Sequence, residues 1–442
     1  MIVGHTQSVC PECLKRVEAV LERVGDVVAM VKTCPDHGQF ETVVWRGQPD
    51  FSSWVRPKIP FGGGPREAVG QGCPYDCGLC ELHAQRTCTA LVEITQQCNL
   101  HCPVCFADSG NKDADLDHGT LKRMFAQIME RTGGCNLQLS GGEPTMRQDL
   151  PEIVALAKKA GFTFIQLNTN GLRLAEGPQL AQTLAQAGLA SVFLQFDGVT
   201  DQVYNLLRGR DLWAIKKQAV VHAAAAGLGI VLVPTIVRDV NTQQLWDIVR
   251  FALQHQPHVR GVHFQPISYF GRYPADFIPD HVTLPELMTG LEVQSQGLVK
   301  AQDFLPPGCE HALCSFSGKF MTTEDQSLVR LGQSSCDCTP KPAEEGALKS
   351  IGVTARQWAA PIIDGQPAKD QPQNDLDRFV ARARTHTLTI SAMAFQDVWS
   401  VNLERLQGCC IHVAQPDGRL IPFCAYNLTS TQGQTLYRNQ RC

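Results

Sequence analysis

The sequence predicts an α/β protein: a partial, TIM-like (β/α)6 barrel with one cysteine-rich region in front of it and another behind. Two observations carry the prediction. From residue 91 to about 300, six strand-like apolar runs alternate with amphipathic helical stretches, and β/α units in succession require a parallel sheet. The 19 cysteines are an outlier for a chain of 442 residues, and most fall in tight groups. With no export signal at the N-terminus, such groups call for metal and not for disulfides.

Charge adds little to this picture and excludes some partners. The 39 basic and 43 acidic residues give a formal net charge of −4 with no long basic run, so a nucleic-acid partner is not expected. The opening residues lack the basic start and apolar core of a signal peptide. No apolar stretch is long enough to span a bilayer. The expectation is a soluble, cytoplasmic protein that is not an integral membrane protein.

Residues 1–50 form the first predicted unit. Cys10-Pro11-Glu12-Cys13 and Cys34-Pro35-Asp36-His37 are two knuckles separated by a strand-forming segment, Val27–Val31. They have the spacing of a zinc-ribbon or rubredoxin-like site for one iron or zinc ion. Cys10, Cys13 and Cys34 are the expected ligands. His37 fits as the fourth, and equally as a surface histidine in a turn.

Residues 51–90 follow, through a linker rich in proline and glycine. Cys73, Cys77, Cys80 and Cys88 are spaced C-x3-C-x2-C-x7-C, a complete ligand set for a 4Fe–4S cluster, although zinc would accept the same set. Full ligation predicts an electron relay or a structural role.

The barrel is expected over 91–300. Its strands are predicted at Leu91–Thr95, Leu137–Ser140, Phe162–Asn168, Ser191–Phe196, Gly229–Ile236 and Gly261–Pro266. Helices are predicted at Thr120–Arg131, Asp149–Ala160, Gly177–Ala187, Asp211–Ala226 and from Asn241 to about His255. Function in such a barrel gathers in the loops after the strands. The first of these contains Cys98, Cys102 and Cys105 at C-x3-C-x2-C, followed by Phe106. Three thiolates at this spacing close one face of an iron–sulfur cube and leave its fourth iron open for a ligand. A zinc knuckle or a storage cluster is the plainer alternative. The later loops carry Gly141-Gly142-Glu143-Pro144, then Asn168-Thr169-Asn170-Gly171, then Asp197 and Gln265.

Beyond residue 300 the β/α rhythm stops, and residues 301–442 are expected to hold a C-terminal cluster. Cys309 and Cys314, with Cys409 or Cys410 and Cys424, would supply its ligands, Cys409 being preferred over its neighbour. The tract near 332–375 is expected to be an irregular insertion, with Cys336 and Cys338 not ligands. Residues 409–427 read as a hairpin turning at Asp417-Gly418, and Cys442 as a mobile thiol or a tail residue.

The cysteine triad with its trailing aromatic residue, and G-G-E-P one β/α unit later, resemble the two signatures of the radical S-adenosylmethionine (SAM) superfamily. The order of the C-P-x-C module, C-P-Y-D-C-G-L-C, the barrel, C-x4-C and D-G-R-L-I-P-F-C-A-Y-N is similar to the archaeal tetraether lipid synthase family, once assigned to methylation of pterins. The resemblance implies SAM bound at a cluster on Cys98, Cys102 and Cys105, with Gly141, Gly142 and Glu143 at its methionine amino group. It places Phe106, Asn168, Thr169, Asn170, Asp197 and Gln265 near the rest of SAM or the substrate. It further implies two auxiliary 4Fe–4S clusters, a ferredoxin- or flavodoxin-like reductant, and a 5′-deoxyadenosyl radical that removes hydrogen from an unactivated carbon. The expected outcome is C–C bond formation on a lipid-like or other apolar small molecule, or methylation of a pterin or other small molecule. An electron carrier built from several clusters is the alternative of another class, and an RNA-modifying enzyme a further one.

Overall fold

The computed structural model describes residues 1–63, 67–110, 115–274, 279–324, 327–332, 339–361 and 375–438. Cys336, Cys338 and Cys442 lie outside them.

The chain begins with an antiparallel meander, β1 (Ile2–Val9), β2 (Arg16–Val24), β3 (Val27–Cys34) and β4 (Gly38–Arg46), in that order. Two of its turns, β1–β2 and β3–β4, carry the cysteine knuckles. The meander packs Val28, Met30 and Trp45 against Trp54 in the main core. It is tied to the far end of the chain by Lys32, whose buried ammonium donates to Ser8 Oγ at 3.0 Å and to the Val398 carbonyl at 2.6 Å.

The large sheet is built on β5 (Thr89–Thr95), β6 (Asn136–Gly141), β7 (Ile165–Thr169), β8 (Ser191–Gln195), β9 (Gly229–Val233) and β10 (Val259–Pro266), hydrogen-bonded in chain order and parallel. These are the six strands the sequence predicts. The run predicted to end at Ile236 divides at Pro234, which has no N–H to give the ladder.

The sheet continues past both edges. Beyond β10 come β13 (Thr387–Met393), parallel, then β11 (Ser315–Thr322) and β12 (Leu328–Leu331), antiparallel. Beyond β5 come β14 (Ile411–Ala414), parallel, and β15 (Leu420–Pro422), the other arm of the predicted hairpin. The C-terminal region thus widens the barrel sheet itself. Short strands lying far apart in sequence leave no periodic trace, so the six-unit count missed them.

Helices cover the sheet. The first is α1 (His118–Thr132), capped by Asp117, whose carboxylate accepts the Thr120 N–H at 2.7 Å. Next are α2 (Leu150–Lys159), α3 (Pro178–Ala187), α4 (Asp201–Arg208), α5 (Trp213–Ala225), α6 (Leu245–Gln254) and α7 (Leu284–Gln294). Asp211, the expected cap of α5, bonds instead to Asn205. Asp201 reaches across from α4 to accept the Leu212 and Trp213 N–H groups at 2.9 and 2.8 Å. In the tract expected to be irregular, residues 343–358 form α8 (Ala343–Trp358). Gly229 and Gly261 make room for its end: a Cβ on Gly229 would sit 2.0 Å from the Trp358 carbonyl oxygen. Among the described residues, no helix is long and apolar enough to cross a membrane.

Candidate functional site

The loop after β5 holds Cys98, Cys102 and Cys105, with Cys102 buried and its partners half-buried. It is clamped by the segment after β10. Cys105 and Arg272 exchange both backbone hydrogen bonds, at 2.9 and 3.0 Å, and Arg272 Nε donates to the Cys102 carbonyl at 3.2 Å. Gly271 permits the close approach: its φ is +56°, and a Cβ there would lie 2.6 Å from the Cys105 carbonyl oxygen. The Cys98 Sγ accepts the Leu100 N–H at 3.4 Å. Burial pushes the Cys98 thiol up to about 11 and raises Cys102 as well, so these sulfurs need a cation to ionise.

At the end of β6, Gly141 and Gly142 lie against the β5 loop. A Cβ on Gly141, at φ +136°, would meet the Thr95 carbonyl oxygen at 2.1 Å, and one on Gly142 the Gln97 oxygen at 2.3 Å. Glu143 follows, fully buried. Its Oε1 accepts from the Thr145 N–H (3.1 Å), Thr145 Oγ1 (2.6 Å) and Thr169 Oγ1 (2.6 Å), while Oε2 accepts from the Asn170 N–H (2.7 Å). One oxygen is saturated by the protein, and the other keeps a lone pair for a ligand cation. Thr169 and the Asn170 backbone therefore orient Glu143. The Asn170 amide donates to Asn99 Oδ1 at 2.7 Å, inside the cysteine loop. Asn168 Oδ1 is buried with no partner among the described residues and lines the cavity described next, placed to receive a donor from a ligand.

These groups border one cavity of about 440 Å³ inside the barrel. Cys98, Cys102, Cys105, Phe106, Glu143 and Gln265 all line it, as do Gly141, Gly142, Asn168, Thr169 and Asn170. Asp197 does not. The structure commits its carboxylate to Arg208, with contacts of 2.8 Å from Nε and 2.7 Å from Nη2, and to the Thr235 N–H at 3.1 Å. The cavity-facing group is Arg208, whose positive charge also acts on Cys102. Nothing in the sequence around Arg208 marks it, because α4, which ends there, was not predicted.

Sequence reading also missed the inner wall. Phe193, His263 and Trp358 form an aromatic cluster with ring centroids 5.6–6.0 Å apart. The His263 ring stands 2.8 Å from Ser391 Oγ, and burial depresses its pKa to about 4. Gln138, Gln195 and Gln357 add amide groups to the lining. The signal available was alternation: Phe193 and Gln195 on β8, like His263 and Gln265 on β10, are two apart and face the same way.

Away from the cavity, Cys10, Cys13, Cys34 and His37 converge with all ligand atoms within 4.8 Å of one another. The His37 Nδ1 lies 3.6 Å from Cys10 Sγ and 3.5 Å from Cys34 Sγ, and Cys13 and Cys34 are 3.9 Å apart. A tetrahedral ion with metal–sulfur bonds of ~2.3 Å has edges of roughly 3.8 Å, so the set fits one ion with His37 as fourth ligand. Glu12, 3.8 Å from His37 Nε2, is placed to orient the ring.

The remaining cysteines sort differently from the expectation. Cys88 does not join Cys73, Cys77 and Cys80. It lies with Cys309 and Cys410, the three sulfurs within 4.8 Å of one another. Strand register is the cause: Thr89 pairs with Ile411, and the Cys88 N–H donates to the Cys410 carbonyl at 2.8 Å. Cys410, not Cys409, is therefore the partner of Cys309. Neighbours at a strand start point opposite ways. Burial pushes Cys409 up to about 12, with the charges of Cys314 and Cys88 adding to it, and burial raises Cys424 as well. Cys314 and Cys424 each accept a hydrogen bond, from Arg405 Nη2 and the Gln396 N–H, both at 3.3 Å. Cys73, Cys77 and Cys80 are left as a triad of their own, held by Tyr437, whose hydroxyl donates to the Pro74 carbonyl at 2.6 Å and accepts the Cys77 N–H at 2.9 Å.

Comparison with known proteins agrees with this geometry. Residues 92–252 match the radical SAM superfamily and residues 2–46 the HMPTM N-terminal zinc ribbon domain. The 7,8-dihydro-6-hydroxymethylpterin dimethyltransferase of Methanocaldococcus jannaschii is 33% identical over 97% of this chain and 94% of its own length. This chain belongs to the radical SAM superfamily, in the family of that dimethyltransferase. A probable GTP 3′,8-cyclase of Methanothermobacter thermautotrophicus is 30% identical over 39% of this chain and 55% of its own. Among solved structures, Streptococcus suis SuiB bound to S-adenosylmethionine covers 48% of each chain at 14% identity, with a TM-score of 0.39.

Proposed function

We propose that this radical SAM enzyme methylates a planar nitrogen heterocycle of the pterin class, held in the barrel cavity against Phe193, His263 and Trp358. The observation that carries this reading is the cavity wall itself. It pairs an aromatic cluster, which stacks on flat rings, with the amide groups of Gln138, Asn168 and Gln195, which offer both donors and acceptors to ring nitrogens and carbonyls. The whole-length relative, a pterin dimethyltransferase, supports the same class.

Cys98, Cys102 and Cys105 would hold the 4Fe–4S cluster, and Glu143 Oε2 the SAM amino group. Arg208, fixed by Asp197, offers a cation for the SAM carboxylate. When bound, SAM and its cluster supply a 5′-deoxyadenosyl radical after one-electron reduction, the electron coming from a small ferredoxin- or flavodoxin-like protein. The barrel would exclude water from the site and orient the carbon to be attacked. His37, Cys10, Cys13 and Cys34 would hold a structural iron or zinc.

A second reading, C–C coupling on an apolar chain, draws on the aliphatic parts of the same wall, Leu91, Val104, Val233 and Val353 among them. The test is anaerobic turnover with deuterated SAM methyl groups and a dihydropterin, followed by mass spectrometry. Labelled methyl groups on the pterin, reduced in amount by Trp358→Ala, are expected. An unchanged pterin beside a coupled alkyl chain would overturn the assignment.

A further inference from the structure

The Cys88–Cys309–Cys410 group has a neighbour that the cysteine pattern does not announce. Glu310 Oε2 lies 3.9 Å from the Cys410 Sγ, which donates toward it, and Glu310 Oε1 accepts from Ser315 Oγ at 2.5 Å. Among the described residues Glu310 has no ion-pair partner. Lys58, from the segment before β5, directs its ammonium at the backbone carbonyls of Cys309 and Glu310. Those bonds, with a 2.5 Å bond from Gln85 Nε2 to the Cys309 carbonyl, fix the segment that presents both side chains. A buried carboxylate beside three buried sulfurs, with Lys58 acting on it only from beyond ion-pair distance, is costly unless a cation sits between them.

Position gives the group its interest. Cys88 immediately precedes β5, and the Cys98–Cys105 loop follows it. The strand's seven residues, at ~3.3 Å each, separate the two by roughly 23 Å. Yet Cys88, Glu310 and Cys410 line the same cavity as Cys98, Cys102 and Glu143. The cavity wall between them includes Ser350, Val353, Thr354 and Gln357, a stripe along α8 at helical spacing.

We propose that Cys88, Cys309, Cys410 and Glu310 form a metal centre in which three thiolates anchor iron and the Glu310 carboxylate is a fourth, exchangeable ligand facing the cavity. Soft thiolates hold the metal, and a single carboxylate oxygen is the weakest member of the set. Ser315 orients that carboxylate in the way outer-shell partners orient ligands elsewhere. A donor atom on a cavity-bound molecule would displace Glu310 without disturbing the thiolates. The ligand set stands independently of the substrate: failure of pterin turnover leaves it untouched, and its failure leaves the pterin assignment untouched.

The test uses the full chain, reconstituted anaerobically with 57Fe and sulfide and saturated with SAM so that the open iron of the radical SAM cluster is occupied. Iron content, Mössbauer spectra, EPR and midpoint potentials are compared for wild type, Glu310→Gln, Glu310→Cys, Cys410→Ala and the neighbouring control Cys135→Ala. 13C-cyanide serves as the probe of the exchangeable position. Cys410→Ala is expected to lose the iron of one centre, and Cys135→Ala none. Glu310→Cys should keep its iron, move the potential of one centre to more negative values and abolish cyanide coupling. Glu310→Gln should change the spectrum of that same centre. Should Cys410→Ala aggregate, Glu310→Gln decides alone, since it disturbs no thiolate. The proposal is overturned if both Glu310 variants leave every spectrum and potential unchanged, or if Cys410→Ala binds as much iron as the wild type.

Discussion

Replacing Asp197 by asparagine keeps the size of the side chain and removes its charge. In the structure that charge receives two hydrogen bonds from Arg208, 2.7 and 2.8 Å long, with both residues almost wholly buried. Asp197→Asn therefore leaves a guanidinium buried without its partner. Breaking such a pair from one side costs about 3–5 kcal/mol, whereas removing both charges costs much less. Arg208→Met should destabilise by a similar amount, since it strands Asp197, while Asp197→Asn/Arg208→Met should fall well short of the sum. Urea unfolding of the reconstituted protein supplies the three values. Equilibrium binding of SAM supplies a second reading, in which Asp197→Asn weakens binding through a displaced Arg208. If Asp197 touched SAM directly, Asp197→Asn would impair SAM binding in the Arg208→Met background as much as in the wild type. That result would refute the assignment of Asp197 as a positioning residue.

Other outcomes follow from the same geometry. His263 is held neutral, its pKa depressed from 6.5 to about 4, so the unfolded chain binds the extra proton. Stability should rise with pH between about 4 and 6.5, by about 3 kcal/mol in all, and His263→Gln should flatten that limb of a urea-midpoint profile. Gly142→Ala drives a Cβ to 2.3 Å from the Gln97 oxygen, so the cysteine loop must move; SAM affinity should fall at least tenfold while the zinc-ribbon metal is retained. Glu143→Gln places an amide where four donors converge and should abolish SAM binding in calorimetry without loss of cluster absorbance. Cys34→Ser or prolonged chelation should remove one metal ion per chain by elemental analysis and leave the iron–sulfur spectrum intact.

The parts of this protein that were legible in its sequence are the local ones. Cys98, Cys102 and Cys105 sit within one loop, Gly141–Glu143 within another, and the six β/α units repeat with a regular period, so neighbouring residues suffice to announce them. Where ligands come from separate segments, spacing misleads. Cys88 follows Cys80 closely enough to complete a four-cysteine motif, yet the pairing of Thr89 with Ile411 carries it to Cys410. Choosing between Cys409 and Cys410 required the direction in which each points from the strand, which the sequence does not contain. Asp197 illustrates another limit: a polar residue after a strand can itself line the cavity or anchor a residue that does, here Arg208. The tract around α8 was judged by its polar composition. One face of that helix lines the cavity, so it did not need an apolar stripe to find its place.

Radical chemistry begun at the Cys98–Cys105 loop would act on a molecule held in the barrel. Its most direct test is deuterium transfer into 5′-deoxyadenosine, measured by mass spectrometry after anaerobic reduction with SAM and a deuterated dihydropterin. Deuterium in the product of the wild type, with no 5′-deoxyadenosine from Cys102→Ala/Cys105→Ala, is the predicted result. Unlabelled 5′-deoxyadenosine with the dihydropterin demonstrably bound, or none at all from fully loaded protein, would contradict it.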